Sequence, residues 1–187
     1  EAADDGDLIL VEPGLDGLAY QENIVVHGAV KIHSREYADL FPDTIDELQN
    51  LAIIDGSRNG SVVRFMPSGN NRVTAELKGF TIRNGSGTPG DLSPDLFDNK
   101  LYGGGIYIQD NLPSIQYNNF INNGDGAGAA SCWEGGAVFI LVTDNSNQSS
   151  TELRIRYNDF TDNYASFGKI ISSRGFDGHI DMTWGYY

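Results

Sequence analysis

Ile115-Gln116-Tyr117-Asn118-Asn119-Phe120-Ile121-Asn122-Asn123 returns as Ile155-Arg156-Tyr157-Asn158-Asp159-Phe160-Thr161-Asp162-Asn163, with Ile, Tyr, Asn, Phe and Asn repeating at an offset of 40 residues. A degenerate earlier copy, Leu77-Lys78-Gly79-Phe80-Thr81-Ile82-Arg83-Asn84, joins this frame through Phe80, which lies 40 residues before Phe120. A second series runs Gly104-Gly105-Ile106-Tyr107-Ile108, Gly136-Ala137-Val138-Phe139-Ile140 and Gly168-Lys169-Ile170-Ile171, its leading glycines 32 residues apart twice. Two interleaved series with unequal spacings describe a unit of constant strands joined by variable loops.

The physics of such a unit is restrictive. One coil of short strands cannot bury its own apolar side chains, but stacked coils can, because each strand pairs in parallel with its equivalents above and below. Alternate side chains then point into a narrow interior, and Ile115, Phe120, Ile155 and Phe160 are the inward candidates. Asn118, Asn123, Asn158 and Asn163 fall at fixed places beside them and are expected to hydrogen-bond turn backbone and each other as amide ladders. Gly104, Gly136 and Gly168 are expected where the backbone bends between sheets. A β-sandwich also strings strands between turns, but nothing in it requires Ile-x-Tyr-Asn-x-Phe at a fixed offset.

Working outward, further apolar runs of two to four residues recur along the chain, each closed by Gly, Asn, Asp or Pro; examples are Leu8-Ile9-Leu10-Val11, Ile24-Val25-Val26 and Val62-Val63-Arg64-Phe65. Residues 43–51 alone read as a short helix, with Thr44 as its cap. Composition agrees. Gly numbers 23 of 187 residues and Asp outnumbers Glu 18 to 8, residues that favour turns over helix interiors. No apolar run reaches the ~18 residues of a membrane-spanning helix. A net charge of −14 argues against nucleic acid as a partner, because phosphate binding needs clustered Lys and Arg. Cys132 stands alone, so no internal disulfide forms, and with three scattered His it offers no zinc-ligand spacing.

These segments resemble right-handed parallel β-helix repeat proteins of the pectin-lyase-like superfamily, secreted bacterial surface type. The resemblance rests on Asp4-Asp5-Gly6-Asp7-Leu8-Ile9-Leu10-Val11-Glu12-Pro13-Gly14, then Tyr20-Gln21-Glu22-Asn23-Ile24, Ile53-Ile54-Asp55-Gly56, Gly79-Phe80-Thr81-Ile82-Arg83-Asn84-Gly85 and Tyr102-Gly103-Gly104-Gly105-Ile106-Tyr107, in that order. It implies an all-β fold, a right-handed single-stranded parallel β-helix of about six coils with loop insertions. It also implies an extracellular or bacterial cell-surface location. The expectation is one domain over residues 1–187, a segment of a longer chain whose coil ends are covered by flanking domains or a partner protein. The chain opens on Glu1 with no leader-like segment, as a trimmed product or fragment would.

The functional expectation is a structural or adhesive module that binds a polysaccharide or cell-surface glycan. The alternatives are a carbohydrate-active enzyme, a polysaccharide lyase or hydrolase, and a passenger substrate of a bacterial secretion or surface-assembly machine. The lyase-type signature runs are absent, and no carboxylate pair is singled out by spacing, so no catalytic residue is assigned. The glycan-binding candidates are Trp133, Tyr102 and Tyr107, as exposed aromatics, with Arg154 and Arg156, which flank inward Ile155. With Lys169 and Arg174 these arginines read as the densest basic group of the chain. Tyr117 and Tyr157, at equivalent positions, are expected to stack as a structural column. Asp91, Asp95, Asp98 and Asp125 are the candidate metal ligands, for Ca2+, although neither loop matches a known calcium-loop pattern.

Overall fold

The computed structural model describes residues 3–35, 52–67, 74–90, 100–124, 132–143 and 152–183. The helix expected over residues 43–51 lies outside them. The chain passes through three sheets, A, B and C, in fixed rotation. The first pass is β1 (Leu8–Val11), β2 (Tyr20–Gln21) and β3 (Ile24–His27), with a 3-10 turn at Leu15–Gly17 between the first two. The second is β4 (Lys31–Ser34), β5 (Ala52–Asp55) and β6 (Val63–Met66). The third is β7 (Glu76–Lys78) and β8 (Phe80–Arg83), an excursion through β9 (Thr88–Pro89) and β10 (Leu101–Tyr102), then β11 (Ile106–Gln109). The fourth is β12 (Ser114–Gln116), β13 (Asn119–Ile121), an excursion through β14 (Cys132–Glu134), and β15 (Val138–Leu141). The fifth is β16 (Glu152–Arg156), β17 (Asp159–Thr161) and β18 (Ile171–Arg174), after which β19 (His179–Asp181) returns to sheet A.

Every neighbour within sheets A, B and C is parallel. The fold is therefore all-β, with parallel strands stacked in several sheets, and is compatible with a parallel β-helix. Period-2 alternation sends one face of each strand inward. Sheet A contributes a column of Ile32, Leu77, Ile115 and Ile155. Sheet C contributes Val63, Ile106 and Val138, with Phe65, Ile108 and Ile140 one step along. Phe120 and Phe160, inward from sheet B, stack at 5.0 Å with a 13° interplanar angle. That separation matches the ~4.8 Å between neighbouring strands, so ring stacking and backbone pairing satisfy one geometry.

The turns explain the polar half of the repeat. Tyr117 and Tyr157 take left-handed backbone at the corner from sheet A to sheet B, and their rings stack at 4.9 Å. Asn118 and Asn158 follow them. Asn118 Nδ2 donates to Asn158 Oδ1 at 3.0 Å and to the Leu77 and Gln116 carbonyls, while Asn118 Oδ1 accepts the Phe80 N–H. At the next corner Asn123 Nδ2 donates to Asn163 Oδ1 at 3.0 Å and Asn123 Oδ1 accepts the Gly85 N–H. A third ladder runs outside it, Asn122 Nδ2 to Asn84 Oδ1 and Asn84 Nδ2 to Asp55 Oδ2, both 2.9 Å.

Two alignments differ from the sequence reading. Leu77 pairs with Ile115 and Ile82 with Phe120, an offset of 38, not 40. Phe80 therefore occupies the level of Asn118, and the left-handed backbone of Gly79 matches that of Tyr117. The glycine series slips as well. Val138 pairs with Ile106 but with Ile171, not Ile170. The equivalent left-handed glycines are Gly103, Gly135 and Gly168, with φ of 65°, 67° and 57°. Gly104 and Gly136 sit one residue later, where the constraint is space: a Cβ on Gly104 would stand 2.3 Å from the Gly124 nitrogen and 2.4 Å from the Gly136 carbonyl oxygen.

Candidate functional site

The two excursions build one lateral feature. Strand β9 runs antiparallel to β10, β10 pairs in parallel with β14, and a bridge from Glu134 to Phe167 extends the insertion sheet. A second apolar cluster, Tyr102, Tyr107, Phe139 and Leu141, with Met66 and Trp133 against it, joins this sheet to the outer face of sheet C. Tyr102 and Phe139 meet at 4.8 Å between ring centroids, and Tyr107 and Phe139 at 5.8 Å.

This corrects the expected exposure of two glycan-binding candidates. Tyr102 is 1% exposed and Tyr107 4%. Alternation does point Tyr107 outward between Ile106 and Ile108, but the outer face here carries its own apolar layer, so neither ring offers a face to a ligand. Burial pushes the Tyr107 hydroxyl up to about 12. Cys132, behind the same layer, is buried, and its thiol is pushed up to about 11 by desolvation, which removes it as a nucleophile.

Trp133 is half-buried and packs on one side against this cluster. Its ring meets Phe167 edge-on at 5.0 Å and 70°, and Lys100 Nζ lies 4.2 Å over it, within cation–π range. Phe167 is 56% exposed and Tyr164 45%, with Lys169 over the Tyr164 ring at 5.7 Å. Lys100, just before β10, Trp133 in β14 and Phe167, next to the bridge with Glu134, thus form an amphipathic row. Below it, Glu134 accepts from Ser172 Oγ at 3.0 Å and from Arg174 Nε at 3.1 Å, and Arg174 also lies over the Tyr102 ring.

Arg154 and Arg156 project from sheet A, around buried Leu153 and Ile155. The structure does not gather them with Arg174, which belongs to sheet C and to Glu134; the single basic group expected from the sequence is two groups. Arg156 is committed to Asp181 and, at 3.0 Å, to Glu152. The Arg156 guanidinium and Thr183 hydroxyl hold Asp181 down to about 2. Arg154 lies 3.5 Å from Glu152 and lines an open groove of about 380 Å³ with Glu76, Lys78, Ser114 and Gln116.

The carboxylates with displaced titration all move the same way. Burial works against ionisation at Asp55, but hydrogen bonds from the Ser57 N–H, Asn84 and Arg83 outweigh it and hold the group low. Burial is likewise outweighed at Glu76, by Lys78 and His33. A carboxyl that donates a proton to a leaving group needs the opposite displacement. Asp55, Glu76 and Asp181 therefore act as ionised acceptors.

Asp91, Asp95, Asp98 and Asp125 lie outside the described residues. Among the described residues no group of three or more His, Cys, Asp and Glu is placed to hold a metal ion. No helix among them is long and apolar enough to cross a membrane.

A cleft that the sequence reading did not single out opens between sheet C and β9. It measures about 360 Å³ and is lined by Arg58, Arg64, Asn59, Ser86 and Thr88, among others. The one available sequence signal was Arg64 itself, a charged residue inside the apolar run Val62-Val63-Arg64-Phe65. Compared with protein-family models, curated proteins and solved structures, the chain matches none.

Proposed function

We propose that the chain is a right-handed single-stranded parallel β-helix of about six coils, of the pectin-lyase-like kind, and an extracellular or cell-surface structural or adhesive module that binds a glycan. The observation that carries the binding reading is the row of Lys100, Trp133 and Phe167 on the insertion sheet. Pyranose rings present flat C–H faces that stack on aromatic rings, and the Lys100 ammonium, 4.2 Å over the indole, supplies a donor to their hydroxyls. The support for a structural role is the coil-to-coil bonding: the ladders at Asn118, Asn123, Asn158 and Asn163 tie successive passes together along the stack.

The test is a glycan array probed with the native chain and with Trp133→Ala. The native chain is expected to bind a defined glycan set, and Trp133→Ala to lose it. Trp133 is only half-buried, so the substitution is expected to leave a folded protein with a modestly lower Tm. Array binding that is unchanged in Trp133→Ala, or absent from the native chain, overturns the reading.

A further inference from the structure

The tetrapeptide Arg-Asn-Gly-Ser occurs twice, at Arg58-Asn59-Gly60-Ser61 and Arg83-Asn84-Gly85-Ser86, and a third Asn-Gly pair stands at Asn123-Gly124. Asparagine before glycine is prone to lose its side-chain amide, because glycine has no side chain to shield the backbone nitrogen that attacks the asparagine Cγ. The two tetrapeptides have the same intrinsic chemistry, so any difference between them comes from the fold. All three pairs fall among the described residues, and their surroundings are unequal.

Two of the pairs are locked. Asn84 Nδ2 donates to Asp55 Oδ2 at 2.9 Å, its Oδ1 accepts from Asn122 Nδ2, and the Gly85 N–H donates to Asn123 Oδ1 at 3.0 Å. Asn123 is fully buried; its Nδ2 donates to the Ile82 carbonyl at 2.9 Å and to Asn163 Oδ1 at 3.0 Å. The Gly124 N–H donates to the Gly85 carbonyl at 2.7 Å. In both pairs the leaving amide and the attacking nitrogen are tied into bonds between passes, so ring closure waits for the stack to open. Asn59 differs. It is exposed, and among the described residues its side chain has no hydrogen-bond partner. Gly60 follows with φ 100°, and the atom nearest to the place of a Cβ is Asn23 Nδ2, at 3.9 Å. The Gly60 N–H donates to Ser86 Oγ at 2.9 Å, a neutral hydroxyl that rotation about one side-chain bond withdraws.

We propose that Asn59 is a self-modification site, at which the folded chain loses the side-chain amide in water while Asn84 and Asn123 keep theirs. The Gly60 nitrogen gives its proton to hydroxide and bonds to Asn59 Cγ. The Cγ–Nδ2 bond breaks, and the amide nitrogen leaves as ammonia with a proton from water, which closes a succinimide. Water then adds at either ring carbonyl and opens it, to aspartate or, with the backbone rerouted through the side-chain carbonyl, to isoaspartate. Nothing is oxidised or reduced, and water is the co-reactant throughout. The product carboxylate stands in the wall of the cleft that Arg58 and Arg64 also line. Isoaspartate in addition lengthens by one atom the turn that leads into β6. The site is independent of the Trp133 row and stands or falls without it.

The experiment is incubation of the native chain at mildly alkaline pH in 18O-enriched water, then trypsin digestion in ordinary water and mass spectrometry. The label marks conversion during the incubation and leaves out any during the digest. Cleavage after Arg58, Arg64, Arg83, Lys100 and Arg154 puts the three asparagines on separate peptides, residues 59–64, 84–100 and 101–154. The Asn59 peptide is expected to take up the label, and to split into aspartate and isoaspartate forms, at least about tenfold faster than the other two. In urea the two Arg-Asn-Gly-Ser sites are expected to convert at the same rate. A native Asn59 that converts no faster than Asn84 overturns the proposal, and so does a gap between the two that survives in urea.

Discussion

Asn118→Ala is the most searching test of how the stack is held. The Asn118 side chain is fully buried and serves four groups, its two amide protons shared among three acceptors. Its Oδ1 accepts the Phe80 N–H at 3.0 Å, and its Nδ2 serves the Leu77 carbonyl at 3.1 Å, the Gln116 carbonyl at 2.9 Å and Asn158 Oδ1 at 3.0 Å. Alanine leaves the Phe80 N–H with no acceptor in a dry interior, at about 1–3 kcal/mol for a buried unsatisfied donor. Each acceptor that loses its amide adds less, because Asn158 Oδ1 keeps the Asn118 backbone N–H, at 2.9 Å, and carbonyls tolerate partial satisfaction better than donors. The sum is about 3–4 kcal/mol, a large share of the ~5–15 kcal/mol that holds a domain folded. With a urea m value of about 2 kcal/mol/M the midpoint falls by about 1.5–2 M. Asn163→Ala is the comparison. Asn163 is only half-buried and gives up bonds from the Asn123 amide and backbone and to the Phe120 carbonyl, where water can substitute, so about 1 kcal/mol is expected. The assay is urea unfolding followed by far-ultraviolet circular dichroism. Equal losses for the two variants, or a loss below about 1 kcal/mol at Asn118, would refute the claim that the buried ladder carries stability between successive passes.

Two further outcomes follow from the geometry. Gly104→Ala would set its Cβ 2.3 Å from the Gly124 nitrogen and 2.4 Å from the Gly136 carbonyl oxygen, backbone on both sides, so a loss of about 3 kcal/mol or more is expected in the same assay, and a native-like midpoint would contradict the close approach. Stability is also expected to fall from pH 7 toward pH 5. Burial holds His33 below its ordinary value despite the hydrogen bond with Glu76, so the unfolded chain binds more protons in that window and gains on the native state as pH drops. The depressed carboxylates add to this only at lower pH. Their contribution is complete above the unfolded carboxylate range and is lost as pH falls through the native values, about 2 for Asp181. His33→Gln is expected to flatten the pH 7 to 5 slope; an unchanged slope would assign it elsewhere.

What was legible in the sequence was whatever the stack forces to repeat. Ile115 over Ile155 and Asn118 over Asn158 share one spacing of 40 because no residue is inserted between the Ile and the Asn of either pass. The two misread registers have one cause each. Phe80 imitates Phe120 at the same offset of 40, yet Gly79 supplies the left-handed corner and thereby sets Ile82, not Phe80, beneath Phe120. In the glycine series the conformational requirement falls on Gly103, Gly135 and Gly168, and residue spacing could not separate a glycine needed for backbone conformation from one needed for space. The burial of Tyr102 and Tyr107 was not legible at all. Alternation assigns a side chain to the outer face of a strand but says nothing of whether a second layer covers that face.

The outer column of sheet C shows how a second layer selects side chains. Val25, Arg64, Tyr107, Phe139 and Ser172 stand one above another in register. Nothing in the stack dictates such changes of chemistry, since the interior column beside them, from Ile24 through Val63 and Ile106 to Val138, stays aliphatic throughout. The changes follow the cover. Tyr107 and Phe139 lie within the apolar cluster that joins sheet C to the insertion sheet, and they are aromatic. Arg64 lies where that sheet ends, beside its edge strand β9, and there the column carries a cation. If the end of the cover is what admits a charge here, Arg64→Gln is expected to lower the urea midpoint far less than Phe139→Ala, whose ring is fully buried, and equal losses would refute that.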